Sequence, residues 1–241
     1  MPIFEHQGVA LHYEEHGHGF PVLLFAPGGM RSNASFWQRA PYDPIKELAQ
    51  EFRVIVMDQR NAGHSVASIS PDDGWPSYTR DHLALLDHLS IWRCHLLGGC
   101  IGGAFALRLA SVAPQLVAAA VLQQPIGLST SNRDVFYKLF DDWAAELAPR
   151  HSEATPAMWQ AFRERMYGTD FVFSVSREET KQVNTPLLVL MGNDVYHPSE
   201  ISREIAALAP HAELVEQWKE PPHLATAVAR VRSFLREHTP A

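Results

Sequence analysis

The chain has little cysteine, no long apolar run and no block of basic residues, and each absence narrows what it can be. Only Cys94 and Cys100 occur in its 241 residues. With the segment between them extended, they stand farther apart than the ~7 Å a disulfide tolerates, so no framework of bridges holds this fold. There is no Cys-x-x-Cys pair, the commonest structural zinc signature. No apolar stretch approaches the ~20 residues of a membrane-spanning helix. The formal net charge is −7 with no cluster of Lys or Arg, which excludes non-specific binding to nucleic acid or to an anionic membrane. The start, Met1-Pro2-Ile3-Phe4-Glu5-His6, lacks the basic and apolar regions of a signal peptide, so the reading places the chain in the cytoplasm.

Thirteen histidines are present, but they are scattered. His12 and His16 lie in an alternating, strand-like stretch where four residues span roughly 13 Å, too far to share an ion. His16 and His18 sit among Gly17 and Gly19 in a turn. No metal and no cofactor are expected.

A composition of 46% hydrophobic and 20% charged residues suits one globular domain. Short apolar runs at 21–25, 53–57, 94–97, 116–122, 186–191 and 213–218 read as strands. Helical spacing appears at 37–52, 78–89, 101–113, 200–208 and 223–236. Strands alternating with helices predict an α/β fold with a mostly parallel sheet and helices on both faces. Residues 3–7 and 10–15 alternate about Gly8 and should add an antiparallel edge. Residues 126–183 break the pattern: no sheet strand is visible, and two aromatic-rich helical stretches are. The chain therefore divides into a core, 1–125 and 184–241, and a small helical lid, 126–183.

The strongest chemical signal is Gly98-Gly99-Cys100-Ile101-Gly102-Gly103, where an apolar strand runs straight into a helix. A nucleophile on so sharp a turn has strained backbone angles, and small neighbours are needed because strand and helix nearly touch. The turn also places the side chain at a helix N-terminus, whose dipole favours a thiolate. A dinucleotide loop fails on spacing, since Gly-x-Gly-x-x-Gly cannot be placed here. Cys94, inside the preceding strand, reads as a buried structural residue.

With this turn the chain resembles the α/β-hydrolase superfamily over nearly its whole length. Pro27-Gly28-Gly29 stands where that family has its oxyanion loop, and Asp58-Gln59-Arg60-Asn61-Ala62-Gly63-His64-Ser65 looks like its Asp-x-Arg-x-x-Gly-x-Ser turn. Leu187 to Asp194 resembles the strand and loop that deliver the catalytic acid, and Pro221-Pro222-His223 opens the last helix, where the catalytic His is found. Cysteine in place of the usual serine is shared with dienelactone hydrolases. The resemblance implies a triad of Cys100 as nucleophile, His223 as base and Asp194 as the acid that orients it. His64 and His197 are competitors for the base. His197, only three residues from Asp194, reads as too close along the loop to partner it. The oxyanion donors are expected to be the backbone N–H of Ile101 and one from Gly29 or Gly28. Arg31 is a candidate for gripping a substrate carboxylate, although a solvated arginine is the plainer reading. Of the lid aromatics Phe136, Tyr137, Phe140, Trp143, Trp159 and Phe162, most should pack the lid onto the core and one or two line the substrate pocket, with Phe140, Trp143 and Trp159 the candidates.

The activity implied is hydrolysis of a small ester, lactone or thioester through a thioacyl intermediate, with a small acyl substrate as the partner. Two alternatives stand beside it: an acyltransferase with the same triad, and a binding protein without turnover on the same fold. Haloalkane chemistry on this fold uses a carboxylate nucleophile, which position 100 does not supply. The sequence leaves a homodimer open.

Overall fold

A computed structural model describes residues 2–240. Among these residues nine strands form one sheet: β1 (Ile3–His6), β2 (Val9–His16), β3 (Phe20–Phe25), β4 (Phe52–Met57), β5 (Val66–Ala67), β6 (Cys94–Gly99), β7 (Val117–Gln123), β8 (Leu187–Leu190) and β9 (Ala212–Val215). Their spatial order is β1-β2-β4-β3-β6-β7-β8-β9, with β5 paired to β2. β1 and β2 form the expected antiparallel hairpin, and β2 joins β4 antiparallel. From β4 through β9 every pairing is parallel.

Burial on both faces explains the runs of apolar residues in the central strands, since a parallel sheet needs cover on each side. On one face, α2 (Trp75–His88), α3 (Ile101–Val112) and α7 (Ser199–Leu208) pack with Leu23, Ile55, Leu96 and Val189. On the other, α1 (Pro44–Leu48) and α8 (His223–Glu237) pack with Val22, Val54, Leu97 and Leu188. Between β7 and β8 lie α4 (Arg133–Leu147), α5 (Pro156–Tyr167) and α6 (Arg177–Lys181), and residues 126–183 contain no sheet strand. The short α6 is announced by Ser176 and Glu179, which cap it reciprocally.

The helical stretch expected over 37–52 is broken in the structure. A 3-10 segment, Ala34–Arg39, is followed by the five-residue α1. Pro41 and Pro44 lack the N–H that a continuous helix needs, and Pro44 instead starts α1 behind its Asp43 cap. α2 begins at Trp75, three residues before the expected start, because Pro76 fits the first turn of a helix.

The register brings the C-terminal ends of β3, β6, β7 and β8 to one edge, with Phe25 opposite Gly98, Gly98 opposite Leu122 and Gln123 opposite Leu190. The loops after β3, β6 and β8 therefore leave the sheet side by side, where ligands bind in parallel α/β sheets. The packing behind this edge is tight. A Cβ on Gly102 would lie 2.0 Å from the Phe25 carbonyl oxygen, and one on Gly98 would lie 1.9 Å from that of Gly102. Gly102→Ala should therefore cost about 3 kcal/mol of stability, the upper part of the overpacking range, because both neighbours are backbone. Urea unfolding checks this, and an unchanged midpoint would contradict the close approach.

The Asp58 turn is fixed from below. Arg60 donates to Asp81 at 2.8 Å through both Nε and Nη2, and to Asp73 at 2.6 Å through Nη1, all buried. The Asp58 carboxylate accepts the backbone N–H groups of Ala34 and His64 at 2.9 Å each. That turn thus holds the loop after β3, and with it the mouth of the site, in place.

Candidate active site

Cys100 follows β6 directly and caps α3, with φ 59° and ψ −121°. A non-glycine residue in the left-handed region is strained and persists only where its surroundings impose it. Here the imposing contacts are backbone ones: the Cys100 N–H donates to the Gln123 carbonyl at 3.0 Å, and the Cys100 carbonyl accepts from Gly103 at 3.0 Å. Cys100 is partly exposed as a residue and lines a cavity of about 180 Å³.

The histidine on that cavity is His197. After β8 the chain passes Gly192 and Asn193 to Asp194, then makes a tight turn in which the His197 N–H donates to the Asp194 carbonyl at 3.1 Å. Within that turn His197 Nδ1 stands 2.8 and 2.9 Å from the two Asp194 carboxylate oxygens. Asp194 also accepts backbone N–H groups from Tyr196 and His197. Gly192 makes the turn feasible, since a Cβ there would lie 2.4 Å from the His197 Cβ. With Nδ1 committed to Asp194, Nε2 is the atom left for Cys100. It is buried and has no hydrogen bond of ordinary geometry, the loose arrangement expected of a site awaiting substrate.

His223 is not brought to Cys100. It is the exposed first residue of α8, on the opposite face of the sheet from α3. The short connection from β9 is pinned by Trp218, whose indole N–H donates to the Met191 carbonyl at 2.8 Å, and it turns down onto the α8 face. The expectation that His197 is too close to Asp194 is also corrected: three residues suffice when they form a turn rather than an extended strand. Asp194 itself lies where the strand-and-loop pattern placed it. His64 stacks obliquely near His12 beside Asp58. His12, Asp58 and His64 are the one group of potential metal ligands found among the described residues. The Asp58 oxygens are already taken by the backbone N–H groups of Ala34 and His64, so the cluster reads as a stitched turn.

The electrostatics of Cys100, His197 and Asp194 agree with one another. Burial acts to raise the Cys100 thiol, but the His197 charge and hydrogen bond outweigh it, helped by the amides of Gly28 and Ile101; the net direction is down. Burial acts to lower His197, and Cys100 and Asp194 together outweigh it, so the imidazole is raised. Burial opposes the Asp194 charge, but His197 and the turn amides hold the carboxyl below its ordinary value. The two amides that favour a negative sulfur, Gly28 and Ile101, were among the three expected oxyanion donors. Gly29 lies beside them on the cavity wall. Cys94, by contrast, is sealed in β6, and burial pushes its thiol up to about 12.

These directions set an expected result. Iodoacetamide should label Cys100 well before Cys94, and the labelling of Cys100 should rise at a lower pH than that of an ordinary thiol. A lowered thiol and a raised imidazole both act in favour of the thiolate–imidazolium pair. Peptide mapping against pH checks this; equal labelling of the two cysteines would contradict it.

The pocket walls differ from expectation. Phe140 is fully buried, edge-on to Phe162 and Trp143 at 5.2 and 5.3 Å, and does not reach the cavity. Trp159 packs edge-on to Trp143 at 5.8 Å. Trp143 lines a neighbouring chamber of about 450 Å³. The cavity is lined instead by Phe136 and Leu139, which lie on a neighbouring stripe of α4, with Met30, Ile126, Tyr167 and Tyr196. Arg31 does line it, but its fork is occupied: Nε and Nη2 donate to the Glu146 carboxylate at 3.0 and 2.6 Å. The pair ties the loop after β3 to α4.

A family model described as the alpha/beta hydrolase fold matches residues 21–157. A candidate carbamate hydrolase RutD of Stutzerimonas stutzeri is 31% identical over 164 residues, 67% of this chain but only 58% of that protein. A protein of the same name from Pseudomonas syringae pv. syringae is 28% identical over 224 residues, covering 81% of this chain and 84% of its own. Among solved structures, a meta-cleavage product hydrolase from Pseudomonas fluorescens superposes with TM-score 0.70 at 22% identity, covering 96% of each chain. A thermophilic esterase from Thermogutta terrifontis does so with TM-score 0.68 at 23% identity, over 96% of this chain and 95% of its own. At such identities the structural likeness speaks for the fold, and it agrees with the sheet order, the strained Cys100 turn and the matched family model: the chain belongs to the α/β-hydrolase fold family.

Proposed function

We propose that the protein is a hydrolase whose nucleophile is Cys100, whose base is His197 and whose orienting acid is Asp194. The observation that carries this reading is the His197 imidazole, bonded through Nδ1 to Asp194 and left with Nε2 beside a thiol at a strained turn. The Cys100 sulfur attacks an acyl carbon, its proton resting on His197 Nε2. The carbonyl oxygen becomes an oxyanion, which the amides of Gly28 and Ile101 are placed to receive. Collapse expels the leaving group, which takes the proton from His197, and a thioacyl enzyme remains. Water then gives a proton to His197 and attacks the same carbon; the acid departs and the thiolate returns. Asp194 holds the ring in the tautomer with its proton on Nδ1 and stabilises the imidazolium.

Small esters, lactones and thioesters are the substrates this chemistry suits, and the name of the relatives adds carbamates. A panel of the four classes tests the reading, with product partitioning under added alcohol or amine to separate hydrolysis from acyl transfer. Hydrolysis of at least one class is expected, and binding without turnover of any would favour a receptor. Asp194→Asn keeps the shape but can present an N–H to the ring and select the wrong tautomer. It should lower kcat by at least ~10²-fold while changing KM little, less than in a serine triad because a thiol needs less help. An unchanged kcat would remove Asp194 from the mechanism.

A further inference from the structure

The wall of the Cys100 cavity is almost wholly apolar, and its few polar side chains are nearly all engaged. Cys100 and His197 face each other, Arg31 is held by Glu146, and Tyr196 is 37% exposed. Tyr167 is the exception. It ends α5, is only 1% exposed, and its ring is stacked on Phe136 at 5.3 Å and edge-on to Phe173 at 5.4 Å. Those contacts fix the direction of the phenol. Its hydroxyl has no hydrogen-bond partner among the described residues, whereas that of Tyr137 is paired with Glu164 at 2.7 Å. The buried hydroxyl of Tyr78 is sealed within the packing, but Tyr167 opens on the cavity that holds the nucleophile. Burial, and then the nearby Cys100 charge, raise its pKa, so it stays a neutral donor.

Resting on the reading of Cys100 as nucleophile, we infer that Tyr167 is a specificity-determining residue, donating a hydrogen bond to an acceptor on the acyl chain of the substrate. The preferred acyl groups then carry an ether, carbonyl or hydroxyl oxygen a few atoms from the scissile carbon rather than plain hydrocarbon. A hydrocarbon chain of the same shape would fill the pocket yet strand the phenol without a partner, and sites built around a buried polar group discriminate strongly against analogues that leave it unpaired. The apolar walls of Met30, Ile126, Phe136 and Leu139 hold the rest of the chain.

The test uses two matched pairs of p-nitrophenyl esters: methoxyacetate against butanoate, and 4-oxopentanoate against 4-methylpentanoate. For each pair the ratio of kcat/KM is measured in the parent and in Tyr167→Phe, so that intrinsic reactivity and any general loss cancel. The ring and its packing are kept, and the lost hydroxyl bonds nothing in the protein, so the variant should fold. In at least one pair the parent ratio should exceed that of Tyr167→Phe by 10- to 100-fold. Equal ratios in both pairs overturn the inference, as does a parent that turns over none of the four esters. Turnover surviving in Cys100→Ala would sink the nucleophile instead, so the two failures read differently.

Discussion

Cys100→Ala should lose turnover by at least about 10⁴-fold and still fold, with a urea midpoint close to the parent's. The loss is large because the sulfur forms the bond that every later step depends on, and what remains is binding and the Gly28 and Ile101 amides. Folding should survive because alanine keeps the Cβ. The strained φ of 59° is imposed by backbone contacts that stay in place, among them the bond from Cys100 N–H to Gln123 and that from Gly103 N–H to Cys100. The removed atom faces a cavity rather than the packed core. Steady-state kinetics on a hydrolysed ester, with urea unfolding alongside, decide it. A variant that unfolds, or one that retains most of its activity, would each contradict the account.

The second large effect concerns the base. His197→Ala should lower kcat by about 10³-fold or more, since the thiol then has no acceptor for its proton and the leaving group no donor. It should also slow alkylation of Cys100 near neutral pH. The sign follows from the pair: the thiol is lowered chiefly by the His197 charge acting against burial. Without that charge its titration moves up, and the thiolate fraction at pH 7 falls. His223→Ala is the control, because His223 is exposed at the start of α8 on the far face of the sheet. Its kcat and its alkylation profile should match the parent. A crippled His223→Ala beside a near-normal His197→Ala would reverse the assignment.

What could be read from residues and what could not divides along physical lines. The Cys100 turn was legible because close approach of strand and helix demands Gly98 and Gly102, a requirement visible in one dimension. The parallel sheet was legible because double-sided burial leaves continuous apolar runs. The histidine that meets Cys100 was not, because His197 and His223 both lie beyond a strand on a connecting loop, and the difference lies in how each loop turns. The signal that separates them is present but subtle: Gly192 five residues before His197 leaves room for a turn that a Cβ would block. The broken helix near Pro41 and Pro44 was legible in those prolines and outweighed by the apolar spacing around them. Phe136 was among the lid aromatics considered, but most of the pocket wall was missed for a simpler reason. Phe140 and Trp143 are large and aromatic, but the phase of α4 turns Phe136 and Leu139 toward Cys100, and Tyr167 arrives from the end of α5.

In the proposed triad the acid and the base stand three residues apart. Asp194 and His197 are held in one turn by their own backbone bonds and by a side-chain contact. Their geometry therefore needs no agreement between two distant loops. Lys219, 4.0 Å from the Asp194 carboxylate and bonded to Asn193 at 2.9 Å, links this turn to the segment before α8.

The central claim is tested most directly by mass spectrometry of the protein quenched during turnover of a hydrolysed ester, with digestion to locate the added mass. The account predicts an acyl adduct on the peptide carrying Cys100, seen in the parent and accumulating further in Asp194→Asn if deacylation is the slower step. An adduct on any other residue, or turnover with no adduct under acid quench, would contradict it.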